Sequence, residues 1–288
     1  MVFNYKTEST MLKDRKAFTL VELLVVAAVL ALLASIVFSN LTGAREQAKI
    51  SNALSFQSNM HNLLGADLVG WWNFDDEDNR YKDLSGYGNN GSCISCPTLV
   101  DGVPGTSGKA MSFNGSGNCI TIDGVSALQS VDGLINGFTI SVWVDSSEIP
   151  SSEYEGVIEL RKNSSSEYAL VISRNSSTDP HDFRIRYWQD GGTSRAFSLP
   201  NLGWNYITVS VFDNNISVYV NGDRVSRGGF TAPFDMFSGG IYIGKYSYQT
   251  NYFNGLIDDV RIYSRALTAY EVQTLYAQTK DNYLSNRY

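Results

Sequence analysis

Residues 204–222 have the sequence WNYITVSVFDNNISVYVNG, and this stretch carries the pattern that decides the fold. Apolar and polar residues alternate in WNYITVSVF and again in ISVYV, as they do in strands with one buried face. The Asn221-Gly222 pair that follows predicts a tight hairpin turn within YVNGDRV. Similar runs separated by Gly, Asn, Asp and Ser recur after Gly65, among them DLVGWWNF, FTISVWV, FRIRYW and LIDDVRIYS. Ten or more such runs predict an antiparallel sandwich or barrel.

The composition agrees with a strand-rich, exported protein. The 288 residues include 17 Tyr and 14 Phe, and the formal net charge is −7. An acidic chain lacks the basic surface that displaces counterions from nucleic acid, so nucleic-acid partners are disfavoured. One helix is predicted near the C-terminus, at residues 267–278, where Thr268 and Glu271 have the spacing of a capping box.

A long apolar segment lies near the N-terminus. Residues 18–38 read FTLVELLVVAAVLALLASIVF and contain one charge, Glu22. At 1.5 Å per residue this helix would be about 31 Å long, which matches the hydrocarbon core of a bilayer. The segment is longer than a secretory signal, and no small-x-small cleavage site follows it. A plain signal-anchor, with Glu22 reaching towards the interface, is one interpretation.

The segment KAFTLVELLVVAAVLALLA resembles the N-terminus of type IV prepilins and pseudopilins. The resemblance implies that prepilin peptidase cleaves between Ala17 and Phe18 and that Phe18 is then methylated. Ala17 stands where the family normally has Gly. In this family Glu22 would be an assembly residue, pairing with the ammonium of Phe18 on a neighbouring subunit, because a carboxylate within a membrane needs a partner.

The predicted organisation has three parts. Residues 1–17 are a leader peptide, and residues 18–64 form one long helix with a transmembrane half at 18–38 and an amphipathic outer half. Residues 65–288 form the strand-rich head. The fold class is therefore mainly β, an antiparallel sandwich preceded by a long N-terminal helix.

Two separated pieces of the head resemble the concanavalin A-like, laminin G-like jelly roll. These are LVGWWNFDDEDNRYKDLSGYGNNG, residues 68–91, and FNGLIDDVRIYSRALTAYEVQTLY, residues 253–276. The resemblance implies two curved antiparallel sheets in which the first and last strands are neighbours. It says less about function, because this fold serves lectins, hydrolases and adhesive modules.

Acidic and amide residues in the two pieces predict a calcium site. Calcium prefers six to eight hard oxygens, many of them carboxylates. Strand alternation places Asp258 on the same face as Val260, which predicts an inward carboxylate in need of a cation. The resemblance implies a structural metal between the loop and the closing strand, and the predicted ligands are Asp83, Asp258, Asn89 and Asp75. A salt bridge to an arginine or a solvated acidic rim are the alternatives.

Two further groups of residues are candidates for a carbohydrate site. Tyr246, Tyr248 and Tyr252 lie in the polar stretch KYSYQTNYF, where aromatic rings could stack on sugars. Sheet-edge or core positions are the alternative for each ring. Glu155 and Glu159 are the nearest match to a glycosidase pair, but a separation of about 13 Å along a strand is too large for a retaining mechanism.

Three cysteines, Cys93, Cys96 and Cys119, lie close together in the sequence. They cannot complete a four-cysteine zinc site, and an exported protein is expected to pair two of them in a disulfide. The spacing does not decide which two.

The sequence favours a filament subunit, a minor pilin or pseudopilin, that displays a lectin-like head and is not an enzyme. Its expected partners are other pilin-like subunits, prepilin peptidase, the inner membrane before assembly, and glycans or a cell surface afterwards. A membrane-tethered carbohydrate-active enzyme and an anchored binding module that does not polymerise are the alternatives.

Overall fold

The computed structural model describes residues 19–35, 64–103, 108–123, 137–150, 152–162, 168–176, 178–187, 193–229, 239–247 and 251–281. The chain divides into two compact units, Met1–Phe56 and Gln57–Tyr288. The predicted cleavage site at Ala17 and Phe18 and residues 36–63 of the predicted long helix lie outside the described residues.

In the first unit, the chain is helical over residues 20–35, which we call α1. Thr19 and Glu22 form a capping box at its start. The backbone N–H of Thr19 donates to the Glu22 carboxylate at 2.9 Å, and the N–H of Glu22 donates to the Thr19 hydroxyl at 3.3 Å. Among the residues that the structure describes, no helix combines the length and the apolar character needed to cross a membrane.

The second unit, the head, is built from strands. Its described part contains a helical turn α2 at residues 64–67, seventeen strands and one longer helix. The strands are β1 Leu68–Trp72, β2 Gly91–Ser92, β3 Thr98–Asp101, β4 Lys109–Asn114, β5 Ile120–Ile122, β6 Phe138–Asp145, β7 Gly156–Arg161, β8 Tyr168–Arg174, β9 Asp182–Tyr187, β10 Thr193–Ser198, β11 Trp204–Phe212, β12 Asn215–Val220, β13 Asp223–Gly229, β14 Ile241–Ile243, β15 Lys245–Tyr246, β16 Asn251–Tyr252 and β17 Asn254–Tyr263, followed by α3 Ala269–Asp281.

These strands form two sheets. Sheet 1 has the order β13-β12-β11-β6-β17-β4-β3, and β1 pairs with the second half of β17. Sheet 2 has the order β10-β9-β8-β7-β14-β5-β2, and the small hairpin β15-β16 joins it at β7. The antiparallel pairing of β1 with β17 confirms that the first and last strands of the sandwich are neighbours.

The sandwich is held by a core between the sheets. Alternate residues of facing strands supply it, so that Ile140 of β6, Ile172 of β8 and Ile207 of β11 are fully buried in one cluster. Burial of this apolar area is the main stabilising term of the head.

The local signals in the sequence match the structure. Asn221 and Gly222 both have positive φ, 52° and 85°, as the hairpin turn between β12 and β13 requires. The capping box at α3 is present, with the Thr268 N–H donating to Glu271 at 2.7 Å. Helix α3 covers the outer face of sheet 1, because Val272 and Leu275 belong to the same buried cluster as Tyr206 of β11.

Candidate functional site

The face of sheet 2 that points away from the core carries polar and aromatic side chains. On β9, Phe183, Ile185 and Tyr187 enter the core, so Arg184 and Arg186 project from the opposite side of the strand. We call this side the outer face of sheet 2.

One row of residues crosses this face from strand to strand. The register pairs Tyr242 of β14 with Glu159 of β7, Glu159 with Val171 of β8, and Val171 with Arg186 of β9. Directly paired residues of neighbouring strands point to the same side of a sheet. The row therefore brings together side chains that lie far apart in the sequence.

Tyr242 is the centre of a group of cations and rings at one end of the row. The guanidinium of Arg161 lies 4.6 Å from the centre of the Tyr242 ring, and the ammonium of Lys245 lies 4.7 Å from it. Lys245 also lies 5.6 Å from the ring of Tyr252. All four side chains are partly exposed, so they form a surface that a ligand can reach.

The hairpin β15-β16 lies against β7 at Gly156. A Cβ at Gly156 would approach the backbone of Lys245 and Tyr246 to 2.4–2.5 Å, which is closer than folded proteins allow. Only glycine lets the hairpin backbone lie at this distance. This close approach places Lys245 and Tyr252 beside Tyr242.

Glu159 is buried beneath this group and bonded to the hairpin. Its carboxylate accepts hydrogen bonds from both the backbone N–H and the hydroxyl of Ser247. Burial raises the pKa of Glu159, although the Ser247 donors and the cations Arg161 and Lys245 act against the rise. Glu159 therefore fixes the hairpin on the sheet.

Glu155 has a different partner. It lies one residue before β7 and forms a fully buried ion pair with Arg174, the last residue of β8. Glu155 also accepts the N–H groups of Ser152 and Asn254, both at 3.2 Å. Arg174 in turn donates to the carbonyl of Glu148 at 2.9 Å. The carboxylate of Glu155 is thus occupied by groups of the protein itself.

The three tyrosines predicted from the sequence have different environments. Tyr246 is 3% exposed and packs against Val171, so it is a packing residue and does not present its ring to a ligand. Tyr248 lies outside the described residues. Tyr252 is partly exposed beside Lys245, and its role as a ligand-binding ring stays a prediction.

Sequence reasoning missed the cations Arg161, Arg184, Arg186 and Lys245, and the ring of Tyr242. The run FRIRYW did carry a signal, because arginine at alternate positions between core residues marks a polar outer sheet face. The partners of these residues come from other strands, and their register was not available from the sequence.

Asp83, one of the predicted metal ligands, organises its own loop. Its carboxylate accepts four hydrogen bonds, from the N–H groups of Trp71, Ser85 and Asn89 and from the Ser85 hydroxyl, at 2.8–3.0 Å. Asn89 donates its side-chain amide to the carbonyl of Val69 at 2.8 Å. A carboxylate whose oxygens accept four donors has little capacity left for a metal, so Asp83 does not fit as a calcium ligand.

Asp258 lies at a bulge in β17, and the alternation predicted for this strand does not hold there. Ile257, Val260 and Ile262 all belong to the core, so two residues stand between consecutive core positions. Asp259 accommodates the extra residue with a positive φ of 46°. The pairing with β6 shifts at this point. Asp258 is 7% exposed as a consequence of the bulge, and it does not share the core face of Val260.

The bulge gathers three carboxylates. Burial raises the pKa of Asp258 well above its usual range, and the neighbouring charges of Asp259 and Asp75 raise it further. Asp259 is itself paired with Arg261 at 2.9 Å and accepts the indole N–H of Trp71 at 2.6 Å. Asp75 accepts the backbone N–H of Lys109 at 2.7 Å.

The metal set predicted from the sequence therefore separates into a loop network around Asp83 and Asn89 and an acidic cluster of Asp75, Asp258 and Asp259. Within the described part of the chain, no group of three or more His, Cys, Asp or Glu has the arrangement of a metal site. Calcium prefers carboxylate oxygens, and in the acidic cluster Asp258 supplies one. Among the described residues, its carboxylate accepts a single hydrogen bond, from the N–H of Asp259.

Two of the three cysteines are paired, as expected. Cys93 and Cys96 form the disulfide, and Cys119 is a free, half-buried thiol. Burial raises the pKa of Cys119, which keeps the thiol protonated and weakens it as a nucleophile.

The comparison with family models agrees with this architecture. Residues 114–273 match the model described as "Concanavalin A-like lectin/glucanases superfamily". The chain belongs to this superfamily. Residues 12–38 match the prokaryotic N-terminal methylation motif, which confirms the resemblance found at the N-terminus. No curated protein matches the chain.

Solved structures show the same fold at low identity. Domain 4 of AbnA, a GH43 extracellular arabinanase from Geobacillus stearothermophilus solved with arabinotriose, is 20% identical with a TM-score of 0.56, and the match covers 73% of this chain and 98% of that one. A botulinum neurotoxin type C structure, from a study of cell entry through two ganglioside molecules, is 17% identical with a TM-score of 0.59, covering 75% and 52%. The binding domain of Paraclostridial Mosquitocidal Protein 1 is 20% identical with a TM-score of 0.55, covering 75% and 53%. This chain therefore matches about half the length of the two toxin chains.

Proposed function

We propose that the chain is a pilin-like filament subunit, a minor pilin or pseudopilin, whose head binds glycans through the outer face of sheet 2. The methylation motif supports export and assembly, and the superfamily supports a lectin-like head. The arabinanase domain bound to arabinotriose and the toxin that interacts with gangliosides are relatives in fold that act on or bind sugars.

The observation that carries this proposal is the group around Tyr242. Sugar rings present C–H groups on their faces and hydroxyls on their edges, so proteins bind them with aromatic rings bordered by polar groups. Tyr242 and Tyr252 supply the rings, and Arg161 and Lys245, which lie over these rings, supply donors. The hairpin at Gly156 and Glu159 holds the group in place before a ligand arrives.

Hydrolysis is less well supported by the same surface. A glycosidase needs one carboxyl that donates a proton and another that attacks or activates water. Glu155 is neutralised by Arg174, and Glu159 is buried and bonded to Ser247. Both carboxyls are committed to contacts that stabilise the head, so we propose binding without catalysis.

Glycan binding is tested with the full chain in detergent micelles on an array of neutral and acidic glycans. Tyr242→Ala should weaken binding at least about tenfold, as is typical when a central aromatic contact is truncated. Tyr270→Ala is the matched control, because Tyr270 is 58% exposed on α3, away from sheet 2. Equal binding by the wild type and Tyr242→Ala, or no binding of any glycan, would refute the proposed site.

At the N-terminus, we propose cleavage between Ala17 and Phe18 by prepilin peptidase and methylation of Phe18. The protein would be held in the inner membrane by residues 18–38 before it joins an extracellular filament through contacts of its N-terminal helix with other pilin-like subunits. Mass spectrometry of sheared surface filaments tests this directly. A methylated Phe18 is the expected N-terminus, and an intact Met1 on a membrane-bound monomer would favour an anchored module that does not polymerise.

We also propose that calcium is a structural ion at Asp258, with Asp75 as the second carboxylate. The close approach of these carboxylates is unfavourable without a cation, and bound calcium would neutralise it. Thermal unfolding with calcium and with a chelator tests the proposal. A calcium-dependent rise in Tm that disappears in Asp258→Asn is expected, and an identical Tm under both conditions would refute it.

A further inference from the structure

The outer face of sheet 2 has a second end, formed by two arginines of β9. Arg184 and Arg186 are two residues apart on one strand, so their Cα atoms are about 7 Å apart and their side chains share a face. The core residues Phe183, Ile185 and Tyr187 fix this orientation, because turning the strand over would bury the arginines instead.

One arginine of this pair is held in position and the other is not. The guanidinium of Arg186 lies 4.4 Å from the centre of the Tyr154 ring and donates to the side-chain oxygen of Asn175. Arg184 has no hydrogen bond or ion pair with any residue in the described part of the chain. Its guanidinium is therefore available to an anion.

Buried polar atoms beside the pair also lack partners. The Nε atoms of Arg184 and Arg186 are buried and have no acceptor among the described residues. Ser173 of β8 lies opposite Arg184 in the register, is fully buried, and its hydroxyl has no partner there either. Buried donors without acceptors are unfavourable, but these three atoms are out of a ligand's reach. The terminal nitrogens of Arg184 are not among the buried atoms, so they are the groups to which an incoming acceptor oxygen can bind.

The charges on this face are mostly positive, although Asp182 of β9 shares the side of Arg184 and Arg186 and accepts the side-chain amide of Asn175 at 2.9 Å. Arg161 and Lys245 lie at the Tyr242 end and Arg184 and Arg186 at the other, while the Glu159 carboxyl between them has a pKa raised by burial. This cationic face belongs to a chain whose formal net charge is −7. A positive patch on an acidic protein selects anions locally and repels them elsewhere.

We propose that this face selects acidic saccharides, with the carboxylate or sulfate of one sugar bound by Arg184 and Arg186 while another sugar binds at Tyr242 and its two cations. This inference rests on the proposed glycan-binding function. Tyr242 and Arg186 are separated by three strand spacings in the same row, about 14 Å. The β15-β16 hairpin covers Glu159 and Val171 between the two ends, so a ligand that contacts both must extend over the hairpin and be an oligosaccharide. A guanidinium binds planar carboxylates and sulfates through paired hydrogen bonds, which explains the choice of arginine over lysine here.

The test uses the full chain in detergent micelles and an array of matched glycan pairs: sialylated and desialylated, uronate-containing and carboxyl-reduced, sulfated and unsulfated. We expect acidic members to bind more tightly than their neutral partners. Arg184→Gln should weaken binding of the acidic member roughly tenfold and leave the neutral member unchanged, as for the loss of one charge-assisted hydrogen bond. Arg184 forms no hydrogen bond or ion pair with the described residues, and glutamine keeps much of its aliphatic chain, so this variant should unfold close to the wild-type temperature.

Arg227→Gln is the matched control, since it removes an exposed arginine from β13 of the other sheet and should not change either affinity. Equal binding of acidic and neutral members would overturn the acidic preference and leave the proposed glycan-binding function in place. An acidic preference that survives Arg184→Gln would overturn the assigned site. Binding of no glycan at all would overturn both. Competition by glycerol phosphate as strong as by the acidic glycan would identify an anionic lipid headgroup as the ligand and overturn the saccharide.

Discussion

Replacing Glu155 with Gln tests whether this carboxylate stabilises the head or acts in catalysis. The substitution leaves Arg174 buried without a counter-charge, with the carbonyls of Glu148 and Asn254 as its remaining acceptors. Breaking a buried ion pair by removing one partner costs about 3–5 kcal/mol in other proteins. In a domain of about 200 residues, 1 kcal/mol lowers Tm by about 2–4 °C, so we expect Tm to fall by roughly 10 °C.

Glu159→Gln is the matched control. Glu159 is also fully buried, but its hydrogen-bond donors come from Ser247, which is neutral. Burial has raised the pKa of Glu159. An acid whose pKa is raised by folding stabilises the folded state at low pH, and this contribution is lost as the pH rises through the folded-state pKa. Near neutral pH the amide should therefore change Tm by only a few degrees in either direction.

The measurement is thermal unfolding followed by circular dichroism, with the full chain in one detergent at pH 7. A second variant, Glu155→Leu with Arg174→Met, removes both charges and should recover part of the lost stability, since apolar replacement of a whole buried pair is often tolerated. Full recovery is not expected, because Arg174 also bonds two backbone carbonyls. If Glu155→Gln unfolded at the wild-type temperature yet abolished glycan hydrolysis, the structural role would be wrong and the enzyme alternative would stand.

Three further predictions concern other parts of the chain. In the presence of a chelator, Asp258→Asn should raise Tm at pH 7 and have little effect near pH 4. Folding raises the pKa of Asp258, so its ionisation destabilises the head as the pH rises. Melting curves at the two pH values measure this, and a larger gain in Tm at pH 4 would contradict it. Glu22→Gln removes the charge but keeps a side chain that can cap α1, whereas Glu22→Ala removes both. If assembly needs the charge, both variants should be lost equally from sheared filaments. Gly156→Ala should displace the β15-β16 hairpin and weaken glycan binding by about as much as Tyr242→Ala, and unchanged affinity would show that Lys245 and Tyr252 are not needed.

Much of the fold was accessible from the sequence because its signals are local. The turn at Asn221-Gly222 depends on two residues that tolerate positive φ, and the start of α3 depends on Thr268 and Glu271, three positions apart. Neither feature needs information from distant strands. The pairing of β1 with β17 came from the resemblance of two separated pieces, which supplied the long-range information that local patterns lack.

The bulge in β17 shows where local patterns fail. Strict alternation assigns Asp258 to the core face, yet one extra residue with positive φ moves it out of that face. Aspartate adopts this conformation more readily than most residues, so the sequence Asp258-Asp259 permits a bulge without requiring one. Whether the bulge forms depends on the pairing of Asp259 with Arg261 and Trp71, and this pairing exists only in the folded sheet.

The candidate site was only partly accessible for a related reason. Its rings and cations come from β7, β9 and β14 and from the β15-β16 hairpin, and the row that joins them is set by strand register. Tyr246 and Tyr252 differ by six positions in a polar stretch, yet the hairpin buries the first against Val171 and leaves the second at the surface. No composition or spacing in that stretch distinguishes the two rings.

The capping box at α1 bears on the assembly role predicted for Glu22. In the single chain, the Glu22 carboxylate already accepts the N–H and the hydroxyl of Thr19, so it is partnered before any neighbour arrives. A neighbouring ammonium would then add to these bonds, since a carboxylate has about four acceptor positions and the cap uses two of them. Capping fixes the direction of the carboxylate, and a fixed carboxylate loses less conformational entropy when it pairs with a cation. In the proposed filament, the same glutamate would therefore define the start of the helix in one subunit and attract the amino terminus of the next.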